Sequence, residues 1–303
     1  MNLWVSKALL QKALSGVPGG NSLNYWAQWA LGKHTQDNIA LRIPGVAAFA
    51  RDVDAYTPIA GSDILEIGTG WGAINALFLS LIGAKSVIAT DYRPHVHLNT
   101  VLDTLEAMRR HAPLLASMRN GSAAGIVSEI DVLASCEDVG ELFSRARITY
   151  LAPFDACATS LNDASVDLIY SYAVLAHFPS EDLRRFAVES KRILKPGGAV
   201  AHKIGLQDPY NRLNGGRNLN FLKFSDRAWE LLFQSSIQYN NRLRASEHVA
   251  IYQDLDMEIL CSDTTLRQKD LDALASLKVD ARFVGMAPED LAAISMKLIA
   301  RRN

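Results

Sequence analysis

Residues 63–72 read DILEIGTGWG, an apolar run interrupted once by Glu66 and closed by glycines at 68, 70 and 72. A short run of this kind ending on glycine is the pattern of a strand buried on both faces of a parallel sheet and entering a tight turn. Glycine there permits positive φ and lets a ligand approach the backbone. A helix expected over 74–82 turns its free N–H groups and positive dipole end toward the same loop. The alternation continues outward. SVIAT (86–90) reads as a strand closing on Asp91, RITYL (147–151) as another, and VDLIYSY (166–172) as a fourth. A helix follows at about 180–194, then LKPGG (194–198) as a helix stop with a glycine turn, then a strand at AVAHKI (199–204). Strand alternating with helix from 63 to 204 predicts an α/β fold with a parallel sheet and helices on both faces.

The flanking segments are less regular. Residues 95–146 read as two or three helices broken near Pro113 and Asn120-Gly121, too long for one crossover, which predicts an inserted helical cap. Residues 3–15 and 22–31 read as short helices around GVPGG, the second carrying Tyr25, Trp26 and Trp29. These aromatics suit either a lid over a ligand or packing against the core. Residues 205–240 show little periodicity beyond a helix near 225–233, and are followed by a helix at 243–255, a strand at 257–262 and a last strand in DLAAISMKLIARR. The domain plan is an N-terminal helical lid segment, 1–60, and one domain over 61–303.

Of the 303 residues, 49% are hydrophobic and 21% charged, the proportions of an ordinary globular chain. A formal net charge of −1 gives no overall attraction to nucleic acid or anionic membrane. Cys136, Cys157 and Cys261 form no C-x-x-C pair, which speaks against a structural zinc or disulfide framework and suits a reducing cytoplasm. Lys7 and Lys12 interrupt the N-terminal apolar residues, and no stretch approaches the ~18 apolar residues of a membrane span. The expectation is a soluble cytoplasmic protein; oligomeric state is not legible.

Gly68, Gly70 and Ala73 formally satisfy the dinucleotide pattern G-x-G-x-x-G/A, so the loop alone fits either NAD or S-adenosylmethionine. Three features separate them. Glu66, two residues before the first glycine, suits a cationic amino group and would repel a pyrophosphate. Asp91 can accept both ribose hydroxyls, in either cofactor. Asp155, in Pro153-Phe154-Asp155, lies just past the third strand, where it can accept from an adenine amino group.

ILEIGTGWG, VIATDYRP, VDLIYSYAVLAHFP and ESKRILKPGGAVAHKI together resemble the motif series of class I S-adenosylmethionine-dependent methyltransferases, over residues 60 to 204. The resemblance implies a Rossmann-like sheet of seven strands whose last is antiparallel, with 257–262 and 291–301 as the closing hairpin. It implies that Gly68, Gly70 and Gly72 pack against the cofactor, with Tyr92 following Asp91 at the ribose. It also implies that Asp155 with the Ala156 backbone reads adenine and that Ser171 lies beside the methionine end. An acceptor with an O–H or N–H⁺ must lose a proton, and His177, after the fourth strand, is the candidate base. His202 lies within a strand, as a core residue or a substrate contact. His95 and His97 lack an acidic partner at ligand spacing, and no metal is expected.

Residues 203–244 carry Lys203, Arg212, Arg217, Lys223, Arg227, Arg242 and Arg244 against Asp208, Asp226 and Glu230. This basic excess reads either as a solvated loop or as the wall of an anionic or sugar-bearing acceptor site with Tyr210, Arg212 and Arg242. Tyr25 and Trp26 are added as substrate contacts from the lid. The stretch from LNFLKFS to QYNNRLR is also similar to bacterial methyltransferases found with glycan or secondary-metabolite pathways. The expected activity is methyl transfer to O or N of a small molecule, with no nucleic-acid or membrane partner. Saccharide methylation, an NAD-dependent oxidoreductase and a non-catalytic S-adenosylmethionine binder are the alternatives.

Overall fold

The computed structural model describes Lys12 and residues 36–211, 215–235 and 239–303. Its centre is a sheet of strands β1 (Asp63–Ile67), β2 (Ser86–Thr90), β3 (Ile148–Leu151), β4 (Val166–Tyr172), β5 (Leu194–Gly205), β6 (Glu258–Cys261), β7 (Thr264–Thr265) and β8 (Ser295–Arg301). The order is β3-β2-β1-β4-β5-β8-β6, with the two-residue β7 also paired to β8. β3, β2, β1, β4 and β5 are mutually parallel. β8 enters antiparallel between β5 and β6. The seven long strands are the expected set. Residues 290–292, however, are helical, within Pro288–Ala292, and the last strand begins only at Ser295.

Successive side chains of each strand fall on opposite faces, and the two faces build separate cores. Ile64, Leu168, Tyr170, Ala199 and Ala201 belong to one; Leu65, Ile67, Ile169, Val200 and Ile204 belong to the other. Burying each large apolar side chain contributes about 1.5–3 kcal/mol relative to exposure. The first face is covered by α1 (Gln36–Ala40), α2 (Ile43–Asp54), α3 (Ile74–Leu81), α4 (Leu98–Arg109), α5 (Ala112–Met118), α6 (Ala123–Ala134) and α7 (Val139–Arg145). The second face is covered by α8 (Ser180–Ile193) and α10 (Ala245–Gln253). A third core of Tyr210, Leu219, Phe221, Trp229, Phe233 and Phe283 belongs to the C-terminal segment, which adds α9 (Asp226–Phe233), α11 (Gln268–Ala275) and α12 (Pro288–Ala292).

Residues 95–146 form four helices, and Val101, Leu105, Leu115, Ile130 and Phe143 share the core of β1 and α3. They thicken one face of the sheet. The break ahead of α7 comes from Asp138, whose side chain accepts from the Glu141 N–H at the helix start. Within the expected lid, Ile39, Ile43, Val46, Phe49 and Val53 are likewise buried in that first core. Tyr25, Trp26 and Trp29 lie outside the described residues. LKPGG opens β5, which starts at Leu194, and loops out of register there: Val166 pairs with Leu194 and Leu168 with Ala199, with Gly197 at φ +78°.

Candidate active site

The parallel strands all end on one edge, and β1 and β4 part there, since the chain proceeds outward from β1 to β3 and then returns to the other side. Ligands bind at such a switch point. A cleft of about 1160 Å³ opens at it, lined by Ile67 and Gly68 after β1, Thr90 to Tyr92 after β2, Pro153 to Cys157 after β3 and Val174 after β4. Its lining continues through His177, Phe178, Asp182 and Arg185 to Glu230, Gln234, Ser235 and Tyr239. Lys12 also lines it and donates to the Glu230 carbonyl at 3.2 Å.

The glycine loop is shaped by backbone geometry. Gly68 has φ +79°, and a Cβ there would meet Val174 Cγ2 at 2.4 Å. Its N–H donates to the Thr90 carbonyl at 2.8 Å, so the loop is pinned to the end of β2. Gly72 faces the other way: a Cβ would strike Thr104 Oγ1 at 2.6 Å, on α4. That glycine permits helix packing and does not line the cleft.

Asp91 is 8% exposed and accepts from the Gly70 N–H (3.0 Å to Oδ2) and the Tyr150 hydroxyl (3.0 Å). Burial pushes its carboxyl up to about 6, opposed by those two donors. A carboxylate accepts about four hydrogen bonds, so capacity remains on the cleft side for hydroxyl donors. Glu66 is fully buried and faces the first core, with Oε2 accepting from Thr69 Oγ1 at 2.8 Å. Oε1 makes no hydrogen bond of its own. Burial pushes this carboxyl up to about 7; Thr69 and Asn75 oppose the shift and the charge of Asp91 adds to it. A buried acid with one unsatisfied oxygen, beneath a glycine loop, fits a cationic group nearby and opposes a pyrophosphate. Asp155 is exposed on the rim, where Oδ1 accepts from the Cys157 N–H at 2.9 Å; Ala156 beside it is 9% exposed. Tyr92 is 78% exposed beneath Arg93.

His177 sits in a short 3-10 turn, Leu175–His177, and its Nδ1 lies 2.7 Å from the Tyr239 carbonyl. A carbonyl only accepts, so Nδ1 carries the proton and the neutral ring keeps its lone pair on Nε2. Ser171 and His202 are placed differently. Both are fully buried on the second face, Ser171 Oγ 2.8 Å from His202 Nδ1 and Tyr252 Oη 2.8 Å from His202 Nε2. Burial holds the His202 imidazole down at about 3. This hydrogen-bonded chain lies in the core, and His202 is not among the cleft residues.

The basic segment also resolves into structure. Arg242 is 3% exposed; it donates to the Phe221 carbonyl at 3.2 Å and to Phe224, pairs with Asp226, and lies over the Trp229 ring. Arg244 is fully buried, donating to the Leu206 carbonyl at 2.7 Å and the Asp290 carbonyl at 3.0 Å. Tyr210 is buried, with its hydroxyl donating to the Phe233 carbonyl at 3.2 Å. Arg212 lies outside the described residues, and Arg217, Lys223 and Arg227 are exposed away from the cleft. Tyr210 and Arg242 are thus supports of the third core, corrected from acceptor contacts.

Sequence reasoning missed Tyr150, whose hydroxyl orients Asp91, and Trp71, whose ring lies 4.8 Å from that of His95 at the cleft. Trp71 stood inside the glycine motif and could have been noticed; Tyr150 reaches Asp91 only through β2–β3 pairing. Among the described residues, no group of three or more His, Cys, Asp or Glu could hold a metal, and no helix is long and apolar enough to cross a membrane.

Residues 130–202 match the family model described as a methyltransferase domain. Solved structures are similar to this chain at low identity. An S-adenosylmethionine-dependent methyltransferase of Methanosarcina mazei is 17% identical, covering 82% of this chain and 96% of its own, with TM-score 0.44. One of Mesorhizobium loti is 16% identical over 88% of this chain and 100% of its own, TM-score 0.44. A protein of Pyrococcus horikoshii is 12% identical over 89% and 95%, TM-score 0.48. No curated protein matches the chain. The family match over residues 130–202, with the sheet order and the motifs it places around one cleft, is consistent with a class I, Rossmann-like S-adenosylmethionine-dependent methyltransferase. It is an enzyme, and S-adenosylmethionine is its cofactor.

Proposed function

We propose that the enzyme methylates an oxygen or nitrogen of a small-molecule acceptor, with His177 as general base. The observation that carries this is the His177–Tyr239 bond on the wall of the cleft that also holds Gly68 and Asp91. When bound, S-adenosylmethionine supplies an electrophilic methyl on a sulfonium. The protein aligns the acceptor and excludes water. Asp91 accepts from the ribose hydroxyls, Asp155 and the Ala156 backbone read adenine, and Tyr92 lies at the nucleoside. Gly68 and Gly70 let the cofactor approach, while Glu66 favours its ammonium. Ser171 supports the strand end from behind.

His177 Nε2 takes the proton released by the acceptor. Asp182 pairs with Arg185, Lys12 donates to the main-chain carbonyl of Glu230, and these two acids and two bases sum to zero charge around Gln234, Ser235 and Tyr239. That balance favours a neutral hydroxyl- or amine-bearing acceptor over an anion. A saccharide would suit the same amide and hydroxyl groups. The test is transfer of labelled methyl to a panel of neutral hydroxyl, amine and sugar acceptors. His177→Ala should lower kcat by ~10²–10⁴, with the Kd for S-adenosylhomocysteine unchanged. An undiminished rate removes His177 as the base.

A further inference from the structure

The turn that carries His177 is gripped by one side chain that no sequence pattern singles out. Asn241 is 8% exposed, and its Nδ2 donates to the Leu175 carbonyl at 2.8 Å and the Phe178 carbonyl at 3.0 Å. Its backbone N–H donates to the Ala176 carbonyl at 2.9 Å. Three carbonyls flanking His177 therefore end on one residue. Oδ1 accepts from the Leu243 N–H at 3.0 Å, which fixes the orientation of the amide, since a flipped group would set oxygen against two carbonyls.

Two residues earlier stands Tyr239, whose carbonyl accepts from His177 Nδ1. The segment is itself held. Trp229 Nε1 and Gln234 Nε2 donate to the Asn240 carbonyl at 3.2 and 3.1 Å, and the Arg242 N–H donates to Asn240 Oδ1 at 3.0 Å. The third core thus reaches the candidate base through residues 239–242.

We propose that Asn241 is the positioning residue for His177: it fixes the 175–178 turn against the Tyr239 carbonyl, so that the neutral imidazole keeps its proton on Nδ1 and its lone pair on Nε2. The proposal rests on His177 being the base. A neutral imidazole can carry its proton on either nitrogen, and the hydrogen bond made at one nitrogen decides which. With the turn loosened, the Nδ1 bond to Tyr239 opens to water and both forms populate.

The test is nitrogen-15 histidine labelling of the full chain. Long-range proton–nitrogen spectra are recorded where the ring is neutral, and the His177 signals are assigned by their loss in His177→Gln. The wild-type ring should show the Nδ1–H form alone. Asn241→Asp keeps the size and the acceptor for Leu243 but removes both donors, and should shift His177 to a mixture of forms; Asn241→Ser should do so in part. Thermal unfolding and S-adenosylhomocysteine binding identify the folded variants. An unchanged His177 signal in a folded variant overturns the proposal. So does a wild-type ring that already populates both forms, a result independent of whether the variants fold. If His177→Ala keeps its methyl-transfer rate, the base assignment falls whatever the spectra show. If that rate drops while folded Asn241 variants match wild type, only the positioning role falls.

Discussion

Glu66 carries a cost in the cofactor-free protein: a fully buried carboxyl with one oxygen unpartnered. Its folded value, about 7, lies above the ordinary 4.5, and that of Asp91, about 6, lies above 3.8. Between those limits the folded chain binds more protons than the unfolded one, so these groups make stability fall as pH rises. The cofactor-free protein should therefore lose stability between pH ~5 and pH ~8, and Glu66→Gln, which cannot ionise, should lose less over that span. Denaturation midpoints of both proteins at the two pH values check this; parallel slopes would show that Glu66 is already ionised in the folded state. The same sign argument makes S-adenosylhomocysteine bind more tightly as pH rises through this range, because ionised Asp91 and Glu66 are the better partners for hydroxyls and an ammonium.

At the scale of elements, the basic 203–244 stretch illustrates why charge alone is ambiguous. It read either as a solvated loop or as an anion-binding wall, because sequence shows charge but not what caps it. Arg242 instead satisfies the carbonyls ending the Asn220–Lys223 turn, and Arg244 those around α12. Removing a buried charged donor leaves its acceptors unsatisfied, so Arg242→Ala should cost about 2–4 kcal/mol of stability, measured by denaturant unfolding. A variant of normal stability with a raised acceptor KM would restore Arg242 to the binding site.

The strands around the glycine loop were legible because double-sided burial writes itself into short apolar runs: β1, β2 and β4 fall where the sequence predicts. Residues 95–146 were legible as helix but not as a sheet-covering layer, since an amphipathic stripe does not say which surface it meets. Asp91 and His177 were singled out because they follow strand ends, a position that the topology turns into a cleft. Asn241 was not, because its contacts are to carbonyls some sixty residues away, and backbone acceptors leave no trace in sequence.

Over the whole molecule, one cofactor edge is served by unequal cores. The sheet with its two faces fixes the glycine loop, Asp91 and Asp155, and the third core brings Tyr239 and Asn241 against the turn that carries His177. Cofactor binding should belong to the first part and proton removal to both. The most direct test of that division is calorimetric titration of the wild-type chain and Asp91→Ala with S-adenosylhomocysteine, with NAD(H) in a parallel cell. Micromolar binding of S-adenosylhomocysteine alone, lost in a folded Asp91→Ala variant, is the predicted result. Binding of NAD(H) in its place, or wild-type affinity in Asp91→Ala, would contradict the account.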